Sequence, residues 1–126
     1  MYRIVIVSDK EKNARRYADR IARFCMKRNV FPQVEYCLDQ EMFFKRVEEI
    51  TPTSVVIALP GVDGLNAVEH MRALRPKCGI IWCSNLDFSL HAFRLRVEYF
   101  FKEPIEDEIF AEGLLVWYER RMEVKG

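Results

Sequence analysis

The sequence predicts a doubly wound α/β fold, a five-stranded parallel sheet with helices on both faces. Three features carry that prediction. Short apolar runs rich in β-branched residues recur along the chain, each is followed by residues in helical periodicity, and the links between them are short and marked by Ser, Asp, Asn, Gly or Pro. Strands alternating with helices through short links form a parallel sheet, because each crossover is right-handed and packs its helix back onto the sheet.

RIVIV, residues 3 to 7, is an apolar run bounded by Ser8 and Asp9, the pattern of a buried strand. From Lys10 to Arg28, the residues Ala14, Tyr17, Ala18, Ile21, Ala22, Phe24 and Cys25 make one apolar helical stripe, and Asn29 supplies a stop. QVEYCL, residues 33 to 38, alternates as a strand, and Asp39 caps a second helix whose Met42, Phe43, Val47 and Ile50 face inward before Pro52 ends it. SVVIAL opens the third unit, with its functional end at Val56. The PGVDG turn leads into a helix carrying Leu65, Val68, Met71 and Leu74, closed by Pro76. GIIWCS, residues 79 to 84, is apolar without interruption, which implies cover on both faces. A short helix from Phe88 to Leu95, the strand EYFF at 98 to 101 and a last helix with Ile109, Phe110, Leu114, Trp117 and Tyr118 complete the set.

A length of 126 residues, half of them hydrophobic, fits one globular domain spanning 1–126. The formal charge of +1 provides no global field for nucleic acid or a membrane. Charge is nonetheless uneven. Eight basic residues lie between Lys10 and Arg28 and five acidic ones between Glu103 and Glu112, and both groups read as solvated faces. No apolar run is long enough to span a bilayer, and MYRIVIVSDK turns acidic too soon for a signal peptide, so a cytoplasmic location is expected. Cys25, Cys37, Cys78 and Cys83 show neither a C-x-x-C pair nor matching histidine spacing and read as buried thiols. His70 and His91 form no cluster with them, and a Cys83/His91 nucleophilic pair lacks a third, orienting group.

Ligands of such sheets bind at the carboxyl ends of the strands. Here those ends carry Ser8 and Asp9, Val56, Ser84 and Asn85, and Glu103 before Pro104. The segments IVIVSDK, VVIALPGVDG, IIWCSN and YFFKEPI, in this order and spacing, resemble the receiver domain of bacterial two-component response regulators across essentially the whole chain. AFRLRVEYFFKEPI further resembles the receiver half of LytTR-type transcription regulators. The resemblance implies a flavodoxin-like sheet in strand order 2-1-3-4-5 and a place in phosphorelay signal transduction.

It also implies a degenerate site. A working receiver carries its phosphoacceptor aspartate four residues before the proline of the P-x-x-D-G turn, and that count from Pro60 falls on Val56. The paired acids after strand one are Ser8 and Asp9, the hydroxyl after strand four is kept as Ser84, and the lysine before the last proline is Glu103. Phosphoryl transfer needs an oxygen nucleophile, a cation and preorganised positive charge. Val56 offers no nucleophile, and Asp9 alone is a poor ligand set for Mg²⁺. Replacing a lysine by Glu103 turns an attraction of about 4 kcal/mol, at roughly 4 Å and an effective dielectric near 20, into a repulsion.

Lys102 stands one residue from the lysine position and would reach the pocket only through a bulge, since successive strand residues point to opposite faces. Asp63 or Asp9 as a substitute acceptor competes with a turn role for the one and a ligand role for the other. Asp9 and Glu103 would either hold some other cation or share a proton. The resulting expectation is a pseudo-receiver without enzymatic activity, cofactor or metal, its pocket better packed and drier than a working one. It would act on a protein partner or as a homodimer through the face of helix four, strand five and helix five. By resemblance Phe100 is the aromatic switch residue coupled to Ser84, and Leu95, Phe100, Lys102 and Phe110 are the contact candidates. Two alternatives stand beside it: the receiver half of a DNA-binding regulator, and a receiver with a non-standard acceptor. Only EVKG follows Met122, so DNA binding would need an output domain absent from this chain or the basic face of the first helix.

Overall fold

The computed structural model describes residues 2–122, so the EVKG segment after Met122 lies outside the described residues. Five strands and five helices alternate: β1 (Arg3–Ser8), α1 (Glu11–Met26), β2 (Gln33–Cys37), α2 (Gln40–Glu49), β3 (Ser54–Ala58), α3 (Gly61–Leu74), β4 (Gly79–Ser84), α4 (Ser89–Arg94), β5 (Tyr99–Lys102) and α5 (Asp107–Arg121). All pairings are parallel and the strand order is β2-β1-β3-β4-β5, the expected flavodoxin-like sheet. Among the described residues no helix is long and apolar enough to cross a membrane.

The pleat sorts side chains into two cores. Ile4, Ile6, Val56, Ile81, Cys83 and Phe101 face α1 and α5, where Tyr17, Ile21, Phe110, Leu114 and Trp117 cover them. Val5, Val7, Val55, Ile57, Ile80 and Trp82 face the other way, under Phe43 and Val47 of α2, Val68 and Met71 of α3 and Ala92 of α4. The central strands β1, β3 and β4 are covered on both sides, which is why they lack the apolar/polar alternation of a half-exposed strand.

Local signals act as the sequence indicates. Asp39 Oδ1 accepts the Met42 N–H at 2.8 Å and caps α2. Asn29 takes a positive φ of 58° just past α1. Several expected inward residues face solvent instead. Met42 is 57% and Ile109 45% exposed, because each neighbours a phenylalanine, Phe43 and Phe110, that takes the inward direction about 100° around the helix. Ala22 is exposed, and Cys37 is half-buried where the other three thiols are buried.

The amino-terminal edge of the sheet is locked by buried polar contacts. Trp117 Nε1 donates to Ser54 Oγ at 3.0 Å, tying α5 to β3. Arg72, 9% exposed, donates to the carbonyls of Leu95, Pro76, Cys78 and Arg96, while Glu98 accepts the Ile80 N–H at 2.9 Å. These contacts tie the links of this edge together, and the opposite edge holds the strand ends at which ligands of the fold class bind.

Candidate functional site

At the carboxyl edge β3 runs two residues past the end expected at Val56 and stops one short of the end of the SVVIAL run. It ends at Ala58, which pairs with Ser8, while Val56 lies two residues deeper and pairs with Ile6 and, on its other side, Ile81. Val56 has no exposed surface and belongs to the α1/α5 core, so it lies below the strand end that was expected to finish with it. The reason is the strong β propensity of the VVI run, which keeps the ladder intact to Ala58. Both positions, the deep one and the terminal one, are aliphatic.

Around them stand the other predicted residues. Ser8, 1% exposed, exchanges hydrogen bonds of 3.2 Å with the backbone of Lys10. Asp9 is exposed. Ser84 is fully buried and its hydroxyl accepts the Leu86 N–H at 3.2 Å, while Asn85 Oδ1 accepts the Gly61 N–H at 2.9 Å, linking the β4 end to the start of α3. Asp63 falls in the first turn of α3, exposed, where a carboxylate favours the helix dipole, and not in a free turn.

Glu103 is the residue whose environment the sequence left open. It accepts a hydrogen bond from the Tyr17 hydroxyl of α1, and the Glu103–Pro104 peptide is cis. Burial first, then the neighbouring Cys83 and the bond to Glu103, raises the Tyr17 hydroxyl pKa, so the phenol stays protonated and donating. Burial likewise pushes the Cys83 thiol well above its ordinary range, with the Glu103 charge adding to it. Beside this pair Arg16 donates to the Ile105 carbonyl at 2.6 Å and to Asp107 at 3.0 Å, and Arg20 reaches Asp107 at 2.7 Å. The contacts strap α1 over the β5–α5 loop. In the sequence Tyr17 is one member of an apolar stripe, and nothing in a helical period reveals which stripe hydroxyl meets a carboxylate 86 residues away.

Lys102 keeps its register opposite Ser84, with no bulge, and is exposed near Asp87. It is therefore on the α4 side of the sheet, apart from Glu103. Hydrogen bonds from Ser89 lower the Asp87 carboxyl, and Lys102 adds to the effect. Cys83 and His91 are separated by the sheet, Cys83 in the α1/α5 core and His91 packed edge-on against Phe88 near α4, so they form no pair.

Of the contact candidates, Leu95 and Phe100 are half-buried. Phe110 is not at the surface at all: at 2% exposure it stacks on Tyr17 at 5.3 Å and packs against Phe101 at 4.9 Å. Phe100 meets Trp82 edge to face at 5.2 Å, and Phe88 stacks on the same indole at 5.2 Å. The exposed apolar side chains of this region are Leu86, Leu90 and Phe93, the last 81% exposed, and none of them is among the contact candidates that the sequence offers. Helical periodicity misses Leu90 and Phe93 because α4 is only six residues long, and Leu86 lies in the β4–α4 link outside any helix.

No family model matches the sequence, and no curated protein does. Solved structures resemble it throughout. The response regulator DrrB of Thermotoga maritima, an OmpR/PhoB homolog, is 22% identical with a TM-score of 0.69, and the match covers 95% of this chain and 54% of DrrB. The beryllofluoride-activated DrrB receiver domain alone is 20% identical with a TM-score of 0.67, covering 95% of this chain and 99% of that one. The signal receiver domain of a DNA-binding response regulator from Colwellia psychrerythraea 34H is 12% identical with a TM-score of 0.75, covering 94% and 99%. The chain thus spans about half of full-length DrrB and nearly all of an isolated receiver. At these identities the likeness shows a shared fold, that of response regulator receiver domains.

Proposed function

We propose that this chain is a receiver-type signalling module that works through protein contact, with no phosphoryl transfer of its own. The burial of Val56 between Ile6 and Ile81, with Ala58 at the strand end above it, carries the reading. Whichever of the two residues is matched to an acceptor, the side chain has no oxygen to attack phosphorus. The surroundings agree. Ser8 is engaged with its own turn, Asp9 is left as a single carboxylate for a hard cation, and Glu103 is turned to Tyr17 in place of a cation that would neutralise phosphate.

Such a module communicates by shape. The α4–β5–α5 face, with Leu90, Phe93 and Lys102 exposed on it, suits a protein partner or a second copy, and the location we assign is the cytoplasm. The AFRLRVEYFFKEPI run points to LytTR-type regulators among possible relatives, and the coverage of only 54% of DrrB fits a part played within a longer regulator.

The test is incubation with acetyl phosphate and Mg²⁺ followed by intact mass measurement, with a working receiver treated in parallel. The proposal expects no phosphoryl adduct. An acid-stable but hydroxylamine-labile adduct, mapped to Asp9 or Asp63, would establish a non-standard acceptor instead.

A further inference from the structure

The described surface holds a cleft at the amino-terminal edge of the sheet, on the far side from the strand ends discussed above. It measures about 420 Å³ and lies between the α2–β3 link (Thr51, Pro52, Thr53), the α3–β4 link (Leu74 to Cys78) and Arg121 of α5. That volume falls within the range of small-molecule sites. Its lining is chemically divided. Pro52, Leu74, Pro76 and the Cys78 thiol form an apolar wall, whereas Arg75, Lys77 and Arg121 bring three cations and no carboxylate lines it among the described residues. Burial pushes the Cys78 thiol up to about 11, so this wall is neutral at physiological pH and does not compete for the cations.

Arg121 is held in place by built contacts. Its Nε lies 3.5 Å from Glu98 Oε2, a guanidinium N–H donates to the Lys77 carbonyl, and its stem crosses Gly79 so closely that a Cβ there would come within 2.9 Å of Nε. Arg75 is less committed. Its one hydrogen bond goes to the Val47 carbonyl at 3.3 Å, and its Nε is buried with no acceptor among the described residues. Basic groups at this edge offset the carboxyl ends of α2 and α3, which explains part of the charge. It does not explain Lys77, which is exposed and makes no ion pair among the described residues, nor an under-bonded Arg75 beside an open apolar wall.

We infer that this cleft binds a small organic anion, a compact apolar body bearing one phosphate or carboxylate group that Arg75 and Lys77 receive while the body rests on Pro52, Leu74 and Pro76. Guanidinium groups match both anions through paired N–H donors, so the chemistry is shared and the two sources are separable only by experiment. The inference is independent of what the opposite edge does, since it rests on none of the same residues.

The experiment is an amide NMR titration of the whole chain with four probes: phenyl phosphate, benzoate, benzyl alcohol as the uncharged body, and inorganic phosphate as the bare head group. The expected result is saturable shifts at Thr51–Thr53 and Leu74–Gly79 with phenyl phosphate or benzoate, the stronger of the two naming the head group, and none with benzyl alcohol. Arg75→Gln and Lys77→Gln should each weaken binding by about tenfold, the effect of one charge-assisted hydrogen bond. Lys12→Gln, which removes the same charge from exposed α1, should leave it unchanged. Absence of saturable shifts, equal affinity for inorganic phosphate, or an equal loss in Lys12→Gln would overturn the inference.

Discussion

Val56 is the residue on which sequence and structure meet most directly, and its position allows a sharp test. Introducing a carboxylate by Val56→Asp would set a charge between Ile6 and Ile81 with no cation beside it. The expected loss is about 3 kcal/mol or more at neutral pH, the size typical of an unpaired buried acid. The sign follows from linkage. Unfolded, the new carboxyl ionises near pH 4, and burial raises its folded pKa, so below about pH 4 only the cost of burying a neutral acid remains, and the total grows as pH rises toward neutrality. Urea unfolding at both pH values measures it, and equal losses at the two would contradict the burial. The cysteines give a second check at this scale. Burial pushes Cys25 and Cys78 up to about 11 and Cys83 well above its usual range; it raises Cys37 too, but that thiol alone is half-buried. Native-state alkylation at pH 8 should label Cys37 first, by peptide mass mapping, because reaction needs an accessible thiolate.

Among elements, the strap of α1 over the β5–α5 loop is the feature that separates this edge from an open one. Tyr17→Phe removes the phenolic donor and leaves Glu103 half-solvated, so a loss of about 1 kcal/mol is expected from denaturant curves. A double-mutant cycle with Glu103→Gln should show coupling between the two. Asp107 holds the other half of the strap. The Arg16 hydrogen bond first, and Arg20 after it, lowers its carboxyl pKa. A depressed folded pKa contributes stability that is present above the unfolded value of about 3.9 and is lost as pH falls through the folded one. The difference in urea midpoint between wild type and Asp107→Asn should therefore shrink below about pH 4 and persist above it. On the sheet side of α5, a Cβ at Gly113 would come within 2.1 Å of Phe101 and 2.7 Å of Tyr99. Gly113→Ala should thus destabilise by about 2 kcal/mol, although alanine is the better helix former by about 1 kcal/mol.

At the scale of the molecule, the fold was legible because β1, β3 and β4 are short runs rich in β-branched residues and α1 and α2 carry clear apolar stripes. The GIIWCS strand matches its observed bounds, and the sheet order follows from the resemblance that the four strand-end segments carry. The site was legible only as a set of identities. That Val56 sits two residues below the end of β3 depends on ladder register, that Glu103 faces Tyr17 depends on how α1 lies across the sheet, and that Phe110 is interior depends on its stacking between Tyr17 and Phe101. None of these is encoded in local spacing. Leu90 and Phe93 are exposed on α4, and if the proposed contact face includes them, Phe93→Asp should reduce self-association of the wild type in sedimentation equilibrium. The claim beneath all of this is that the carboxyl edge is chemically closed, and amide NMR of the chain with Mg²⁺ and beryllofluoride tests it without relying on catalysis. The account predicts no saturable shifts at Ser8 to Lys10, Val56 to Leu59, Ser84 to Leu86 or Glu103; shifts that saturate there and spread to Phe100 and α4 would contradict it.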